Sequence, residues 1–100
     1  MTKLLPIEEN GQIVGYFFDC PGCQAGHALY VRPHRNIVGA GWDFNGDMGR
    51  PTFRPSVLSR YTFANQPDQV CHSFVTDGQI QFLNDCMHSL AGLTVDIPDL

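Results

Sequence analysis

The sequence has little of what long helices or membrane spans require. Seven prolines and ten glycines are spread along its 100 residues, so few stretches can carry an apolar repeat of 3.6 residues over a dozen positions. No run approaches the roughly 20 apolar residues that cross a bilayer, and Pro6, Glu8 and Glu9 interrupt the apolar segment that a secretory signal needs. We therefore expect a soluble, cytoplasmic chain without membrane contact, forming one domain over residues 1–100.

Charge is also scarce, and it is unevenly distributed. Five of the six basic residues are arginines between positions 32 and 60, which makes that segment net +3 and the remainder net −7 within a total of −4. An acidic chain is poorly suited to the phosphate neutralisation on which non-specific nucleic-acid binding depends. Nucleic acid is therefore disfavoured as a partner, whereas a local arginine patch is available to a protein.

Between the turn residues, short runs rich in β-branched and aromatic residues recur, which predicts a mainly β fold. The hydrophobic content of 43% is sufficient for a packed core. We expect a small β-sheet or sandwich that carries a zinc-knuckle element. Its strands are predicted near residues 12–18, 27–32, 36–44, 56–63, 70–76, 79–83 and 94–98.

The clearest local signal is the Asp-Gly pair at 77–78, since both residues accept the positive φ angles of a tight primed turn. With this pair as the loop of a hairpin, Val75 is expected opposite Ile80, and Ser73 opposite Phe82.

One short helix is predicted near residues 86–91. Asp85 is a suitable N-cap for it, and Gly92 is a suitable left-handed residue at its C-terminal end.

Three groups of potential metal ligands stand out. Cys20-Pro21-Gly22-Cys23 has the spacing with which two cysteines bind one zinc ion from a single turn. The second group, Cys71-His72, lies on a predicted strand, and the third, Cys86-Met87-His88, follows the hairpin partner of that strand. In a reducing compartment such cysteines are expected to be thiolate ligands rather than disulfide partners. His27 is a further candidate that we expect to begin a strand.

Geometry reduces these candidates to four. Neighbouring strand residues point to opposite faces, so Cys71 and His72 cannot easily reach the same ion. Residues two apart on a helical turn diverge by about 200°, so either Cys86 or His88 is excluded as well. A thiolate suits the apolar face on which Cys71 is expected. The predicted zinc ligands are Cys20, Cys23, Cys71 and His88, with His72 and Cys86 as alternates.

Four protein ligands close the coordination sphere of zinc, which favours a structural role over a catalytic one. The sequence has no HExxH motif and lacks the ligand pattern of the zinc deaminases. A small zinc-dependent hydrolase is the alternative, with Asp85 or Asp47 as general base if His72 and His88 held an open site. If the zinc is structural and is held by the four predicted ligands, any chemistry is to be sought at the two candidates that it leaves unbound, His72 and Cys86.

The end of the predicted third strand and the segment after it offer a candidate surface for binding a partner. Trp42 stands near Arg50 and Arg54 in the segments WDFNGD and RPTFRPS. The tryptophan is a natural core residue, but if it is exposed the three side chains form an aromatic and arginine surface suited to binding a protein.

Several segments together resemble a family of small bacterial and phage proteins that often carry the label "ammonia monooxygenase". They are CPGC with Gly26-His27, WDFNGD, PTFRPS, CHSFVTDGQIQFL and DCMHSLAGLTVDIPD. The family pattern is similar at Cys20, Cys23, Cys71, His72 and His88. The label does not fit, because an ammonia-oxidising enzyme of that name is a membrane copper complex.

The resemblance implies a zinc-binding phage or prophage accessory protein. We therefore expect a zinc-stabilised interaction module, with an enzyme disfavoured, whose partner is a host or phage protein.

Overall fold

Eight strands, paired antiparallel in two sheets, form the regular structure of the residues described, which are 2–61, 64–65 and 69–100 of a computed structural model. Their bounds are β1 Leu5–Glu9, β2 Gln12–Cys20, β3 Ala25–Tyr30, β4 Asp43–Phe44, β5 Phe53–Tyr61, β6 Gln69–Thr76, β7 Gln79–Phe82 and β8 Thr94–Asp96. The prediction of a mainly β fold is confirmed. The end of the strand predicted at 56–63 lies outside the described residues.

The first sheet has the order β1-β2-β3. The turn between β2 and β3 carries the cysteine pair. The β2–β3 ladder closes with Cys20 opposite Ala25, so residues 21–24 form the connection. Gln24 takes a left-handed φ of 55°, and its backbone N–H donates to the Cys20 carbonyl at 2.9 Å. The cysteine pair therefore lies on a tight turn, as the sequence predicts.

The second sheet has the order β4-β5-β6-β7-β8 and contains the predicted hairpin. Val75 pairs with Ile80, and Ser73 with Phe82, in the expected register. The two loop residues at 77–78 have φ values of 50° and 78°, as a type I′ turn requires. Side chains of β6 are consequently alternately buried and partly exposed along the strand.

A wide bulge interrupts the pairing of β5 with β6. Residues 54–56 of β5 stand opposite Phe74 alone, because pairing resumes only at Val57. Such bulges re-aim a side chain and are frequent beside active sites. Ser56 is the last of the three bulged residues.

Both sheets contribute to one buried cluster, which also contains three of the four cysteines. It consists of Leu4, Phe18, Cys20, Leu29, Trp42, Phe53, Val57, Cys71, Val75, Ile80, Phe82, Cys86 and Ile97.

The helix predicted at 86–91 does not form, and turns take its place. The Met87 backbone N–H donates to the Val70 carbonyl of β6 at 2.9 Å, so a bond to a neighbouring strand replaces one that would propagate a helix. Gly92 is left-handed with φ 80°, as predicted, but it follows turns. No helix in the described part of the chain is long and apolar enough to cross a membrane.

The strand predicted at 36–44 is also shorter than expected, since only 43–44 is extended. Asn36 Oδ1 accepts the backbone N–H groups of Val38 and Ala40 at 3.1 and 2.9 Å. Gly39 adopts a φ of 85° in the same turn. Hydrogen bonds between the Asn36 side chain and the backbone therefore stabilise a turn where strand pairing was expected.

Candidate functional site

A chain of hydrogen bonds joins three polar side chains on the outer face of the β5–β6 pair. Ser56 Oγ lies 3.0 Å from His72 Nε2, and Nδ1 of the same ring lies 3.0 Å from Asp85 Oδ2. Because an ionised carboxylate can only accept, His72 Nδ1 carries the proton that it donates to Asp85. In the neutral ring Nε2 then accepts from the Ser56 hydroxyl, so a correctly oriented base is bonded to a serine.

Three features of the fold place these side chains. The bulge ends at Ser56, whose carbonyl accepts the indole N–H of buried Trp42 at 3.2 Å. His72 stands on β6 directly opposite Leu58 of β5. Asp85 lies in the turn that follows β7. The serine and the histidine are thus held by rigid strands, while the carboxylate depends on how that turn is attached.

Cys86 attaches the turn to the strand that carries the histidine. Its thiol donates to the His72 carbonyl at 3.0 Å and accepts the His72 backbone N–H at 3.2 Å. The ladder of β7 with β6 ends at Ser73, but the Leu83 backbone N–H also donates to the His72 carbonyl at 2.9 Å. The buried Cys86 adds a second donor to that carbonyl and an acceptor for the His72 N–H, and so helps to hold its neighbour, Asp85.

A surface cleft of about 360 Å³ opens beside Ser56, which is one of its lining residues. Arg32, Arg35, Val38 and Leu58 also line it. Ser56 is half-buried, and a molecule bound in this cleft would contact it.

On the opposite, inner face of β6, three cysteine sulfurs and a histidine gather. Ligand atoms of Cys20, Cys23, Cys71 and His27 all lie within 4.8 Å of one another. Cys20 Sγ and Cys71 Sγ are 3.9 Å apart, and the Cys23 backbone N–H donates to Cys20 Sγ at 3.5 Å. Three cysteines and a histidine form one of the common ligand sets of structural zinc.

The thiols in this cluster influence one another strongly. A hydrogen bond from Cys71, helped by nearby His27, lowers the pKa of Cys20 to about 3 against the effect of burial. The same bond to Cys20 raises the pKa of Cys71, while burial raises the pKa of Cys23 to about 11. Three thiolates this close together would repel one another, so a bound cation would be needed to hold all three in the ionised form.

Two histidines lie close enough to this cluster to be the fourth ligand. His27 is 4% exposed, its Nδ1 lies 3.0 Å from Ser59 Oγ, and its Nε2 is buried without a hydrogen-bond partner among the described residues. His88 Nε2 lies 3.6 Å from Cys71 Sγ, while its Nδ1 accepts the Leu90 backbone N–H at 3.2 Å. The two rings therefore differ in which nitrogen has a free lone pair.

The structure brings together most of the predicted ligands in two overlapping groups. Cys20, Cys23 and Cys71 are in one group, whereas His88 lies with Cys71 and Cys86 in the other. His72, an alternate ligand in the sequence-based prediction, faces away from the sulfurs toward Ser56.

The three residues predicted to bind a partner do not form one exposed surface. Trp42 is 7% exposed and belongs to the core. Arg54 donates from Nη1 to the Val75 carbonyl at 2.9 Å and lies over the ring of Phe74 at 5.8 Å from its centroid. Arg50 is exposed. Their role in partner binding stays a prediction.

Ser56 is the candidate site residue that the sequence-based reasoning missed. It lies in RPTFRPS, a segment whose sequence draws attention to Arg50 and Arg54. A serine needs a histidine and a carboxylate close to it in space, and those three residues are far apart in the sequence. Asp85 was recognised as a possible base and His72 as a place for chemistry, but nothing in the spacing connects them to Ser56.

The chain matches the family described as "Bacterial ubiquitination-like system serine protease (BubE)" over residues 2–83, and it belongs to that family. Neither the curated proteins nor the solved structures contain a match to it.

The family corrects the functional expectation drawn from the sequence. A zinc-stabilised interaction module acting as a phage accessory protein is wrong, because the family is one of serine proteases. The alternative of a hydrolase is nearer, although the family description names a serine and not a zinc enzyme. Of the resemblance, membership of a bacterial family is confirmed.

Proposed function

We propose that this chain is a serine hydrolase that cleaves peptide bonds, with Ser56 as nucleophile, His72 as general base and Asp85 as the carboxylate that orients the histidine. The observation that carries the proposal is the continuous hydrogen-bond chain from Ser56 through His72 to Asp85. The family description supports it independently. Such triads are recognised by geometry and occur in different chain orders on unrelated folds; here the order is serine, histidine, aspartate.

In the first half of the reaction Ser56 Oγ attacks the carbonyl carbon of the scissile bond. His72 Nε2 takes the hydroxyl proton as the new C–O bond forms, and Asp85 stabilises the resulting imidazolium. His72 then gives that proton to the departing amine nitrogen as the C–N bond breaks. An acyl ester on Ser56 remains.

In the second half, water replaces the amine. His72 removes a proton from the water as it attacks the ester carbon, and returns a proton to Ser56 Oγ as the C–O bond breaks. The carboxylic acid product leaves and the triad is restored. The His72 side chain is half-buried, with 26% of its surface exposed, so the water that this step needs can reach it.

A second serine–histidine pair, Ser59 with His27, is less suited to this chemistry. His27 is almost fully buried, and its Nδ1 bonds to Ser59, while its other nitrogen is close to Cys20. A carboxylate is needed to orient the base of a triad, and sulfur occupies that side of His27. We assign this pair to the metal site.

We propose further that the activity serves a bacterial ubiquitination-like system, as the family description indicates. The substrate would then be a protein of such a system.

The nucleophile can be tested directly with a small fluorophosphonate probe, which reacts with activated serines. We expect it to phosphonylate Ser56, as located by mass spectrometry of the digested protein, and we expect labelling to disappear in His72→Ala. Ser89 is an exposed serine in the same chain and provides an internal control. Labelling of both serines alike, or of neither, would contradict an activated Ser56.

The attachment of Asp85 through Cys86 gives a second test. Cys86→Ala removes both thiol bonds to the His72 backbone and leaves only the bond from the Leu83 N–H to the His72 carbonyl. We therefore expect kcat to fall by roughly tenfold to a hundredfold through misplacement of the carboxylate, with little change in KM. Cys86→Ser should restore most of the activity, because a hydroxyl can also donate and accept.

Proton NMR distinguishes this effect from a general loss of structure. The deshielded proton between His72 Nδ1 and Asp85 should vanish in Cys86→Ala and return in Cys86→Ser. Equal activity in all three proteins would show that Cys86 has no positioning role.

We propose that the inner cluster holds a structural zinc ion through Cys20, Cys23, Cys71 and His27. Tetrahedral zinc with Zn–S bonds of about 2.3 Å places two sulfurs about 3.8 Å apart, and the Cys20–Cys71 distance of 3.9 Å agrees with that spacing. Zinc would hold all three sulfurs as thiolates and tie the turn of the first sheet to the second sheet. The catalytic steps above do not pass through it.

His27 is preferred over the predicted His88 because of the protons on the two rings. A backbone N–H can only donate, so His88 Nδ1 has its lone pair toward Leu90 and the neutral ring carries its proton on Nε2. That nitrogen donates to Cys71 and cannot ligate a metal in this arrangement. His27 can donate from Nδ1 to Ser59 and keep the Nε2 lone pair for the ion, as metal-binding histidines commonly do.

A further inference from the structure

Two of the eight large apolar residues that are exposed in the described part of the chain line the cleft that contains Ser56. Leu58 is 55% exposed and lies two residues after Ser56 on the same strand, hence on the same outer face. Val38 is also exposed, and both line the cleft that contains Ser56. One exposed leucine is ordinary, but two apolar side chains lining the cleft of a nucleophile form a binding surface.

The segment that carries Val38 is held in place before anything binds. The Asn36 N–H donates to the Ala40 carbonyl at 2.9 Å, and the Gly39 N–H donates to the Asn36 carbonyl at 2.9 Å. The Arg35 guanidinium donates to the Gly39 carbonyl at 3.0 Å. A preordered loop loses little conformational freedom on binding, so its apolar contact contributes to affinity.

The charged residues that line the cleft are both arginines. Arg32 and Arg35 line it, and among its described lining residues none is acidic. Arg32 is paired with Asp43 at 3.1 Å, which leaves Arg35 as the cation more available to a ligand. A carboxylate bound near this rim meets complementary charge.

We infer that this cleft is the specificity subsite of the enzyme, and that it takes a polypeptide with a bulky apolar residue flanking the scissile bond and an acidic residue nearby. The inference rests on the proposed hydrolase function. A polypeptide is the expected occupant because Ser56 is proposed to cleave peptide bonds. Val38 and Leu58 would contact the apolar side chain, and Arg35 the acid. Such a pocket discriminates by roughly tenfold to a few hundredfold between side chains of different size.

The test is digestion of a random peptide library by the full-length protein, with cleavage sites read by mass spectrometry. The wild type should favour a bulky apolar residue over glycine beside the cleaved bond by roughly tenfold or more. Leu58→Ser and Val38→Ser should each reduce that preference, mainly through KM. Arg35→Gln should remove the preference for a nearby acid.

Leu93→Ser is the matched control, because Leu93 is 50% exposed but does not line the cleft. It should leave the preference unchanged. Fluorophosphonate labelling of Ser56 should proceed at the wild-type rate in Leu93→Ser and should remain detectable in the cleft variants, since the probe carries no peptide side chain.

Two outcomes would overturn the subsite alone: cleavage without apolar preference, or a preference that survives Leu58→Ser and Val38→Ser together. Ser56 labelling in a protein that cleaves no library peptide would instead overturn peptide-bond cleavage, and the subsite with it. Absence of both labelling and cleavage would overturn the activated Ser56 itself.

Discussion

Replacing Ser56 with alanine is expected to lower kcat by a factor on the order of 10⁴–10⁶ while leaving the fold intact. Within the described residues the Ser56 side chain bonds to His72 Nε2 alone, and the bond from Trp42 to the Ser56 carbonyl belongs to the backbone and survives. Peptide hydrolysis under saturating substrate gives the rate, and circular dichroism confirms the fold.

The three members of the triad should behave as one unit. His72→Ala should cost about as much as Ser56→Ala, and the double variant should cost no more than either alone, because the remaining group has nothing to act with. Asp85→Asn should be damaging but less so, since the serine–histidine bond remains. Additive losses would mean that these residues act separately and that the triad is not the catalytic unit.

Ser59→Ala provides the comparison that decides between the two serine–histidine pairs. Ser59 stands on the same strand and bonds to His27 at the same distance of 3.0 Å as Ser56 to His72. With zinc supplied, this variant should retain most of the activity and all of the fluorophosphonate labelling of Ser56. Loss of activity with metal content unchanged would transfer the catalytic role to Ser59.

Removal of the inner-face metal is expected to have the second largest effect, and it should act on the fold. The purified protein should contain one zinc ion per chain, and a strong chelator should lower its melting temperature by roughly 10 °C or more, because structural zinc contributes folding free energy directly. Equal melting curves with and without chelator would contradict a structural zinc site.

The identity of the fourth ligand can be separated from the existence of the site. His27→Ala should lose the metal, whereas His88→Ala should keep it, as measured by elemental analysis. Cobalt(II) provides a spectroscopic check, since a tetrahedral site with three thiolates gives intense absorption that should survive only in His88→Ala. The opposite result would make His88 the ligand and would require its Nδ1 to lose the bond from Leu90.

Local patterns of the fold were largely accessible from the sequence. The Asp-Gly pair at 77–78 determines its hairpin register because backbone preference and side-chain alternation agree there. The strand predicted at 36–44 was wrong for most of its length. Its apolar residues favour strands, but Asn36 and Gly39 together stabilise a turn. The helix at 86–91 failed for a related reason: its capping residues are suitable, but the backbone and thiol groups of 86–87 bond to β6.

The candidate site was accessible only in part, for a reason of distance along the chain. Cys20 and Cys23 are informative as a pair because two ligands on one turn leave a spacing in the sequence. A triad leaves none, since its members come from three elements whose approach depends on a bulge and a turn. Strand alternation predicted that only one of Cys71 and His72 can reach a common ion, and in the structure the His72 side chain lies toward Ser56, away from the cluster that contains Cys71.

Because Cys71 and His72 are adjacent on β6, we expect the length of this strand to be constrained among relatives. A single inserted or deleted residue in this strand would send the thiolate outward and the imidazole inward, and would remove the metal site and the hydrolytic site together. Lengthening by two residues would preserve the faces but shift both against Asp85 and Cys20. We therefore expect the interval from residue 71 to the Asp-Gly turn to be constant in length among active relatives.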